Sequence, residues 1–214
     1  MVGAALWDMD GTLVDSAEYH WIAWRDTMAS EGITITYDQF LATFGQRTDS
    51  ILPLWLGADA PAERIQRVGD AKEELYRKLV RERGLDPLPG AMEWVERLHQ
   101  QGWLQAVASS APRANIDVVL QVIGLAGDFQ AIVSAEDVTR GKPDPQVFLT
   151  AAARLNVPPA RCIVVEDAAH GVEAARRGGM RSIGVSRNGS LKADVVVRSL
   201  VDLPPDAFES LSHR

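Results

Sequence analysis

The fold is decided near the start of the chain by residues 4–15, which read AALWDMDGTLVD. The first four of these residues form a compact apolar run, and the residues after them are acidic, polar or glycine. An apolar run that stops at such residues is typical of a buried strand that ends in a loop. We therefore expect a short first strand, followed at once by a loop that carries Asp8 and Asp10.

From residue 91 onward, helix-like segments alternate with short apolar runs. Helices are predicted to begin at or next to Ala91, Pro112, Pro145 and Ala168. Strands are predicted at 104–108, near 131–134, at 162–165, at 182–185 and at 194–197. This alternation predicts a parallel, doubly wound sheet, and the first strand needs that sheet in order to be buried.

The intervening residues 16–86 show helical patterns. Ser16 is a good N-cap for a helix that ends near Gly32, and shorter helices are predicted at 37–44 and 48–56. A longer helix from Pro61 to Gly84 has one apolar stripe formed by Ile65, Val68, Leu75 and Leu79. The predicted fold class is α/β: a doubly wound, Rossmann-like core (1–15 and 87–214) with an inserted α-helical cap (16–86).

Composition narrows the class of protein. The 214 residues are 46% hydrophobic and 24% charged, which is ordinary for a globular chain that buries a full core. The net charge of -7 gives no basic footprint, so we expect no nucleic-acid partner. No apolar run approaches membrane-spanning length, the N-terminus does not resemble a signal peptide, and Cys162 is the single cysteine. We expect a soluble, cytoplasmic and monomeric enzyme that does not bind membranes.

Acidic residues follow two of the predicted strands. Asp8 and Asp10 end the first strand, and Glu166 and Asp167 end the strand at 162–165. Residues two apart on an extended segment point the same way, and close buried carboxylates repel unless a cation pairs with them. Either acidic pair alone also suits an Asx turn or a helix N-terminus. Their occurrence at several strand ends of one sheet favours a metal site, and oxygen ligands select Mg²⁺ first.

Ser109 and Lys142 lie at two other strand ends. Lys142 could hold a phosphate as a point charge, and Ser109 could offer a hydroxyl and backbone N–H groups at a helix start. Taken singly, Lys142 also suits a solvated loop and Ser109 an N-cap. Since ligands of open α/β sheets bind beyond the carboxyl ends of the strands, we expect both residues to share a pocket with the acids.

These segments together resemble the four motifs of the haloacid dehalogenase-like phosphatase superfamily. The first motif resembles residues 8–15, the second 107–109, the third 142–145, and the fourth 165–167 with Gly171. The helical segment after the first motif is similar to the cap of the branch that contains β-phosphoglucomutase and many small-molecule phosphatases. True dehalogenases of the superfamily lack the second aspartate, so Asp10 favours phosphate ester chemistry.

The resemblance implies a role for each motif residue. Asp8 would be the nucleophile that takes the phosphoryl group, and Asp10 would act as acid and then as base. Ser109 and Lys142 would hold the transferred phosphate. The implied Mg²⁺ ligands are the carboxylates of Asp8 and Asp167 and the backbone carbonyl of Asp10. Glu166 would support them. A carboxylate nucleophile divides one difficult transfer into two easier ones, and the cap would exclude bulk water.

Three cap residues bear on the choice of substrate. Mutases of this branch have a histidine and a lysine that match His20 and Lys72, although His20 also suits a helix surface and Lys72 could extend to solvent. Arg47 lies in a Gly-x-Arg sequence like that of sugar-phosphate phosphatases and could clamp a substrate phosphate. The loop after Ser109 lacks the serine and lysine usual in the mutases.

We therefore predict a phosphatase of a small phosphorylated metabolite, preferably a sugar phosphate. The alternative is a β-phosphoglucomutase-type phosphoryl transfer. A remote alternative is a receiver-like phospho-aspartate switch. Receivers place the acidic pair first and lack a helical insertion like that at 16–86, so the order of the motifs here argues against this alternative.

Overall fold

The computed structural model describes residues 3–186 and 189–212. Within these residues, six parallel strands form one sheet in the order β3-β2-β1-β4-β5-β6. The strands are β1 Ala4–Trp7, β2 Leu104–Ala108, β3 Ala131–Val133, β4 Cys162–Glu166, β5 Arg181–Val185 and β6 Val195–Val197. The strand order reverses on either side of β1, which makes the edge between β1 and β4 the switch point of a Rossmann-like sheet.

Helices cover both faces of this sheet. They are α5 Ala91–Gln100, α6 Arg113–Val122, α7 Gln146–Arg154, α8 Ala169–Arg177 and α9 Ala207–Ser212. One apolar cluster joins α5, α6 and α9 to one face, and a second joins α7 and α8 to the other. Strand β1 is fully buried between them, which explains why its four residues are all apolar.

A helical layer lies between β1 and α5 in the chain. Its helices are α1 Ala17–Ser30, α2 Tyr37–Thr43, α3 Thr48–Leu56 and α4 Ala62–Arg83. They share a separate apolar cluster that includes Trp24, Phe40 and Leu52. Pro53 lies inside α3, while α4 ends at Gly84, whose positive φ of 73° suits the end of a helix.

Two short crossings connect the layers. Val14 bridges both Asp10 and Pro87, and the backbone N–H of Leu88 donates to the carbonyl oxygen of Leu13 at 2.8 Å. The outgoing and returning segments therefore pair with each other at the carboxyl end of β1. The cap is attached beside the residues that follow the first strand.

The elements predicted from the pattern are present, with ends that differ by one or two residues. Ser16 is the N-cap residue of α1, as predicted, but its side chain makes no capping bond. Its hydroxyl bonds Asp10 instead. The stripe of α4 also differs, since Val68, Tyr76, Leu79 and Val80 are buried while Ile65 and Leu75 are only half-buried. No helix in the described part of the chain is long and apolar enough to cross a membrane.

Candidate active site

The acids meet because β1 and β4 are neighbours in register. Trp7 pairs with Val165, and the backbone N–H of Asp8 donates to the carbonyl oxygen of Val165 at 3.0 Å. The residues that follow, Asp8 on one strand and Glu166 and Asp167 on the other, therefore emerge side by side. One ligand oxygen from each of these three acids lies within 4.8 Å of the others.

Lys142 is inserted among these acids. Its Nζ lies 2.5 Å from Asp8 Oδ1 and 2.7 Å from Glu166 Oε1, and the lysine side chain is 2% exposed. Burial alone would lower the pKa of Lys142, but the two carboxylates hold it above its usual value. Lys142 is therefore a permanent cation beside Asp8, and the alternative of a solvated loop lysine does not apply.

Burial and the charges of neighbouring acids raise the pKa values of two acids in this cluster. Burial, together with the charge of Glu166 and despite Lys142, raises the pKa of Asp8 to about 7. Burial and the charges of Glu166 and Asp8 raise the pKa of Asp167 to about 8. Carboxylates in this position favour a divalent cation as a further partner, and an all-oxygen donor set suits a hard ion such as Mg²⁺. The residues present fit the expected metal.

Two glycines allow these acids to approach the backbone. Gly11 has a φ of +88°, and a Cβ on it would lie 2.1 Å from Asp167 Oδ2. A Cβ on Gly171 would lie 1.8 Å from Glu166 Oε1. Glu166 also accepts the backbone N–H of Ala168 at 2.8 Å. The carboxylates of Glu166 and Asp167 thus pack directly against the backbone of two glycines.

Asp10 points away from the acidic cluster, towards the cap. Its Oδ1 accepts the hydroxyl of Ser16 at 2.5 Å and lies 3.3 Å from His20 Nε2 and 3.5 Å from the Tyr76 hydroxyl. Burial would raise the pKa of Asp10, but His20, Ser16 and the charge of Lys72 lower it below its usual value. Oδ1 of Asp10 thus has three partners, and Asp10 also lines the cavity.

Ser109 lines the same cavity as these residues. It is buried, and its Oγ accepts the backbone N–H of Ala111 at 3.1 Å. Its own N–H donates to the carbonyl oxygen of Val133 at 3.0 Å. The Ser109 side chain does not cap α6, whose N-cap position is Pro112. Its hydroxyl hydrogen is free to donate to a ligand.

His20 and Lys72 reach the cavity from the cap. His20 is buried and stacks on Tyr76 with ring centroids 3.9 Å apart, so it is not a helix-surface histidine. Lys72 Nζ lies 3.0 Å from His20 Nδ1. Since an ammonium only donates, Nδ1 must accept, and the proton of the neutral ring is on Nε2 facing Asp10. Burial and the nearby Lys72 charge lower the pKa of His20, which agrees with a neutral ring.

Two residues of this network were not identified in the sequence. Glu73 accepts from Lys72 at 3.0 Å, and Asn115 of α6 donates to Glu73 Oε2 at 2.6 Å. Glu73 follows Lys72 on the helix and could have been suspected as its partner. Asn115 had no signal, because only tertiary packing brings α6 against α4. His170 was also missed, and it lines the cavity opposite Gly45.

Arg47 is the predicted residue that the structure does not bring into the cavity. Its Nη1 donates to the carbonyl oxygens of Ala135 at 2.6 Å and Val138 at 3.1 Å, and its other nitrogens bond Asp49. It lines a neighbouring groove of about 230 Å³ between cap and core. In this conformation Arg47 connects the cap to the loop after β3, and its role as a phosphate clamp stays a prediction.

This arrangement has counterparts among known proteins. The sequence model of the family described as haloacid dehalogenase-like hydrolase matches residues 2–179. β-Phosphoglucomutase of Bacillus subtilis is 35% identical over 213 residues, which cover 94% of this chain and 91% of that protein. Hexitol phosphatase B of Escherichia coli (strain K12) is also 35% identical, with 94% of this chain and 93% of that protein covered.

A solved structure agrees with these sequence similarities. The crystal structure of β-phosphoglucomutase from Clostridium difficile superposes with a TM-score of 0.89 at 29% identity, covering 100% of this chain and 98% of that one. Fold and similarities together define an enzyme of the phosphatase and phosphomutase class. The chain belongs to the haloacid dehalogenase-like hydrolase family. Membership of this family excludes the alternative that the chain is a receiver-like switch.

Proposed function

We propose that this enzyme is a Mg²⁺-dependent phosphatase that hydrolyses a sugar monophosphate through an aspartyl-phosphate on Asp8. The observation that carries the proposal is the buried Asp8–Lys142 pair at the switch point of the sheet, with Asp10 two residues away. Asp8 would act as the nucleophile, and Lys142 would pair with the charge on a bound phosphoryl group.

In the first half-reaction, a carboxylate oxygen of Asp8 attacks phosphorus and the bond from phosphorus to the sugar oxygen breaks. The leaving oxygen takes a proton from the carboxyl group of Asp10, which holds that proton when the negative charge of the bound phosphate offsets the lowering of its pKa by His20, Ser16 and Lys72. Asp8 loses its negative charge when the new bond forms, so Lys142 is released and binds a phosphoryl oxygen. Ser109 donates its hydroxyl hydrogen to another phosphoryl oxygen. The products of this step are a neutral sugar hydroxyl and the acyl phosphate on Asp8.

In the second half-reaction, water attacks phosphorus on the side opposite the aspartyl oxygen. Asp10, now a carboxylate, takes the proton of that water, and the bond from phosphorus to Asp8 breaks. Inorganic phosphate leaves, and Asp8 returns to its carboxylate form. The bond of His20 Nε2 to Asp10 stabilises the basic form that this step requires.

Mg²⁺ would be held by carboxylates of Asp8 and Asp167 with the backbone carbonyl of Asp10, and Glu166 would support Lys142 beside them. When bound, the ion supplies positive charge against the phosphoryl oxygens and the crowded carboxylates. Its binding would relieve the raised pKa values of Asp8 and Asp167, because both acids would then remain ionised at neutral pH.

The proposed preference for a monophosphate over a bisphosphate depends on which partners the cations of the cap already have. Lys72 is held between His20 and Glu73, and Arg47 is bound to core carbonyls and Asp49. The groove next to the cavity is also lined by Asp49, Asp70 and Glu136. A mutase that works through a bisphosphate must hold two phosphates at once. Among the described residues, no lysine or arginine in the cavity or groove is without a carboxylate partner.

The test is a panel of sugar and sugar-alcohol monophosphates assayed for released phosphate with Mg²⁺, using wild type and Asp8→Asn. We expect the variant to fold normally and to lose turnover by more than about a thousandfold, because the amide cannot form the acyl phosphate. Asp26→Asn, on the exposed face of α1, is the matched control. Near wild-type turnover by Asp8→Asn would reject Asp8 as nucleophile.

A second candidate is a β-phosphoglucomutase-type transfer, and the contact of the His20–Lys72 pair with Asp10 favours it. The same preparation should be incubated with β-glucose 1-phosphate and a bisphosphate primer. Conversion to glucose 6-phosphate without net phosphate release would establish the mutase. Phosphate release without isomerisation would establish the phosphatase.

A further inference from the structure

We propose that Glu73 is a positioning residue, and that its bond to Asn115 on the core sets the His20–Lys72 pair against Asp10. The proposal rests on the proposed function, because it concerns how the cap prepares Asp10 for phosphoryl transfer. Neither Glu73 nor Asn115 belongs to the four motifs. Both line the central cavity, and Glu73 also lines the groove beside it.

The Glu73 carboxylate is buried and fully bonded. Oε1 accepts the Thr48 hydroxyl at 2.5 Å and Lys72 Nζ at 3.0 Å, while Oε2 accepts Lys72 Nζ at 3.1 Å and Asn115 Nδ2 at 2.6 Å. A buried carboxylate is costly unless it is paired in this way. The same bonds fix its orientation, since each oxygen has one partner besides Lys72.

Asn115 has a defined orientation as well. Its Oδ1 accepts Arg77 Nη1 at 3.0 Å, so its amide nitrogen must face Glu73. Asn115 lies in the first turn of α6 and is completely buried. Because α6 follows the Ser109 loop, the Glu73–Asn115 bond joins the cap directly to the element that carries a phosphate-binding residue.

The bonds form one chain across the cap–core boundary. It runs from Asn115 to Glu73, then Lys72, then His20, and ends at Asp10. Lys72 is 2% exposed and depends on Glu73 for its counter-charge. A charged Lys72 in turn determines that His20 accepts at Nδ1 and presents its Nε2 proton to Asp10. Asn115 can complete this chain only when the cap is seated on the core.

The decisive experiment exchanges the polarity of the cap–core bond. Glu73→Gln leaves Lys72 without its carboxylate, and Asn115→Asp places a second carboxylate against Glu73. In the double variant, the new amide at position 73 donates, the new carboxylate at position 115 accepts, and the total charge is unchanged. The matched control is Glu82→Gln, since Glu82 is exposed on the same helix and its partner is the exposed Lys78.

We expect each single variant to lower kcat on the best sugar monophosphate by about ten- to a hundredfold, with a smaller change in KM. The double variant should be more active than either single variant, and Glu82→Gln should match wild type. Single variants with wild-type kcat, or a double variant no more active than either single variant, would overturn the proposal.

A second readout does not depend on turnover. The ¹⁵N shifts of the His20 ring should report a proton on Nε2 in wild type and in Glu82→Gln, and a changed or mixed tautomer in Glu73→Gln. An unchanged His20 tautomer in a folded Glu73→Gln protein would contradict the proposal. An inert wild type with the expected shifts would instead count against the proposed function alone.

Discussion

At the scale of single residues, the position of Glu166 depends on Gly171. The carboxylate occupies the space where a Cβ of residue 171 would lie, and from there it bonds Lys142 and the backbone N–H of Ala168. Lys142 is held by Glu166 on one side and Asp8 on the other. A single methyl group on α8 would therefore disturb the pair on which the chemistry depends.

We predict that Gly171→Ala lowers turnover by at least about tenfold, because Glu166 must move and its charge-assisted bond to Lys142 is weakened. Steady-state kinetics and a thermal melt measure this effect and its cost in stability. Gly127→Ala is the matched control, since no heavy atom lies within 4 Å of its added Cβ. Wild-type kinetics in Gly171→Ala would show that the Glu166 position does not matter for the reaction.

At the scale of elements, the four cap helices are held together by an apolar cluster of their own. Leu52 of α3 is buried in this cluster with Trp24 and Phe40, whereas Leu54 on the same helix is 66% exposed. The cap meets the core mainly where α4 packs on α6, and the contacts there are polar at Glu73 and Asn115. Tyr76, Leu79 and Val80 of α4 pack in the apolar cluster of the sheet, so the separate stability of the cap stays a prediction.

We predict that Leu52→Ala destabilises the cap by about 2–5 kcal/mol, because the deletion leaves a cavity in a small cluster. Amide hydrogen exchange should show lost protection in α1–α4 while the strands of the sheet keep theirs. Leu54→Ala should change stability by less than about 0.5 kcal/mol. Equal loss of protection in cap and sheet would mean that residues 16–86 do not form a separate unit.

At the scale of the whole molecule, repulsion among the clustered carboxylates predicts that folding is coupled to metal binding. Asp8 and the Glu166–Asp167 pair come from two separate segments and meet only in the folded sheet. One lysine cannot neutralise three acids, and burial together with the charges of neighbouring acids raises the pKa values of Asp8 and Asp167. A divalent cation that binds only the folded state must stabilise it.

We predict that Mg²⁺ at about a hundred times its dissociation constant raises the melting temperature by about 5–10 °C, and that EDTA reverses the shift. Asp167→Asn should remove most of this response, whereas Asp59→Asn, in an exposed loop, should keep it. Differential scanning calorimetry measures the effect without any substrate. An equal response in both variants would locate the cation elsewhere.

The sequence by itself determined the elements, the order of the motifs and the placement of acids, serine and lysine at strand ends, because these depend on local periodicity and on the geometry of a parallel sheet. Asp8, Asp10, Ser109, Lys142, Glu166 and Asp167 line one cavity as expected. The monomeric state and the cytoplasmic location stay predictions.

Only the tertiary structure decided how the cap is used. In the folded chain the Ser16 hydroxyl bonds Asp10, Arg47 bonds core carbonyls, and Glu73 bonds Asn115, which is 42 positions away in the sequence. The physical reason is that these bonds depend on how two separately packed layers meet. Helical periodicity fixes which face of α4 is buried, but it does not say what lies opposite that face.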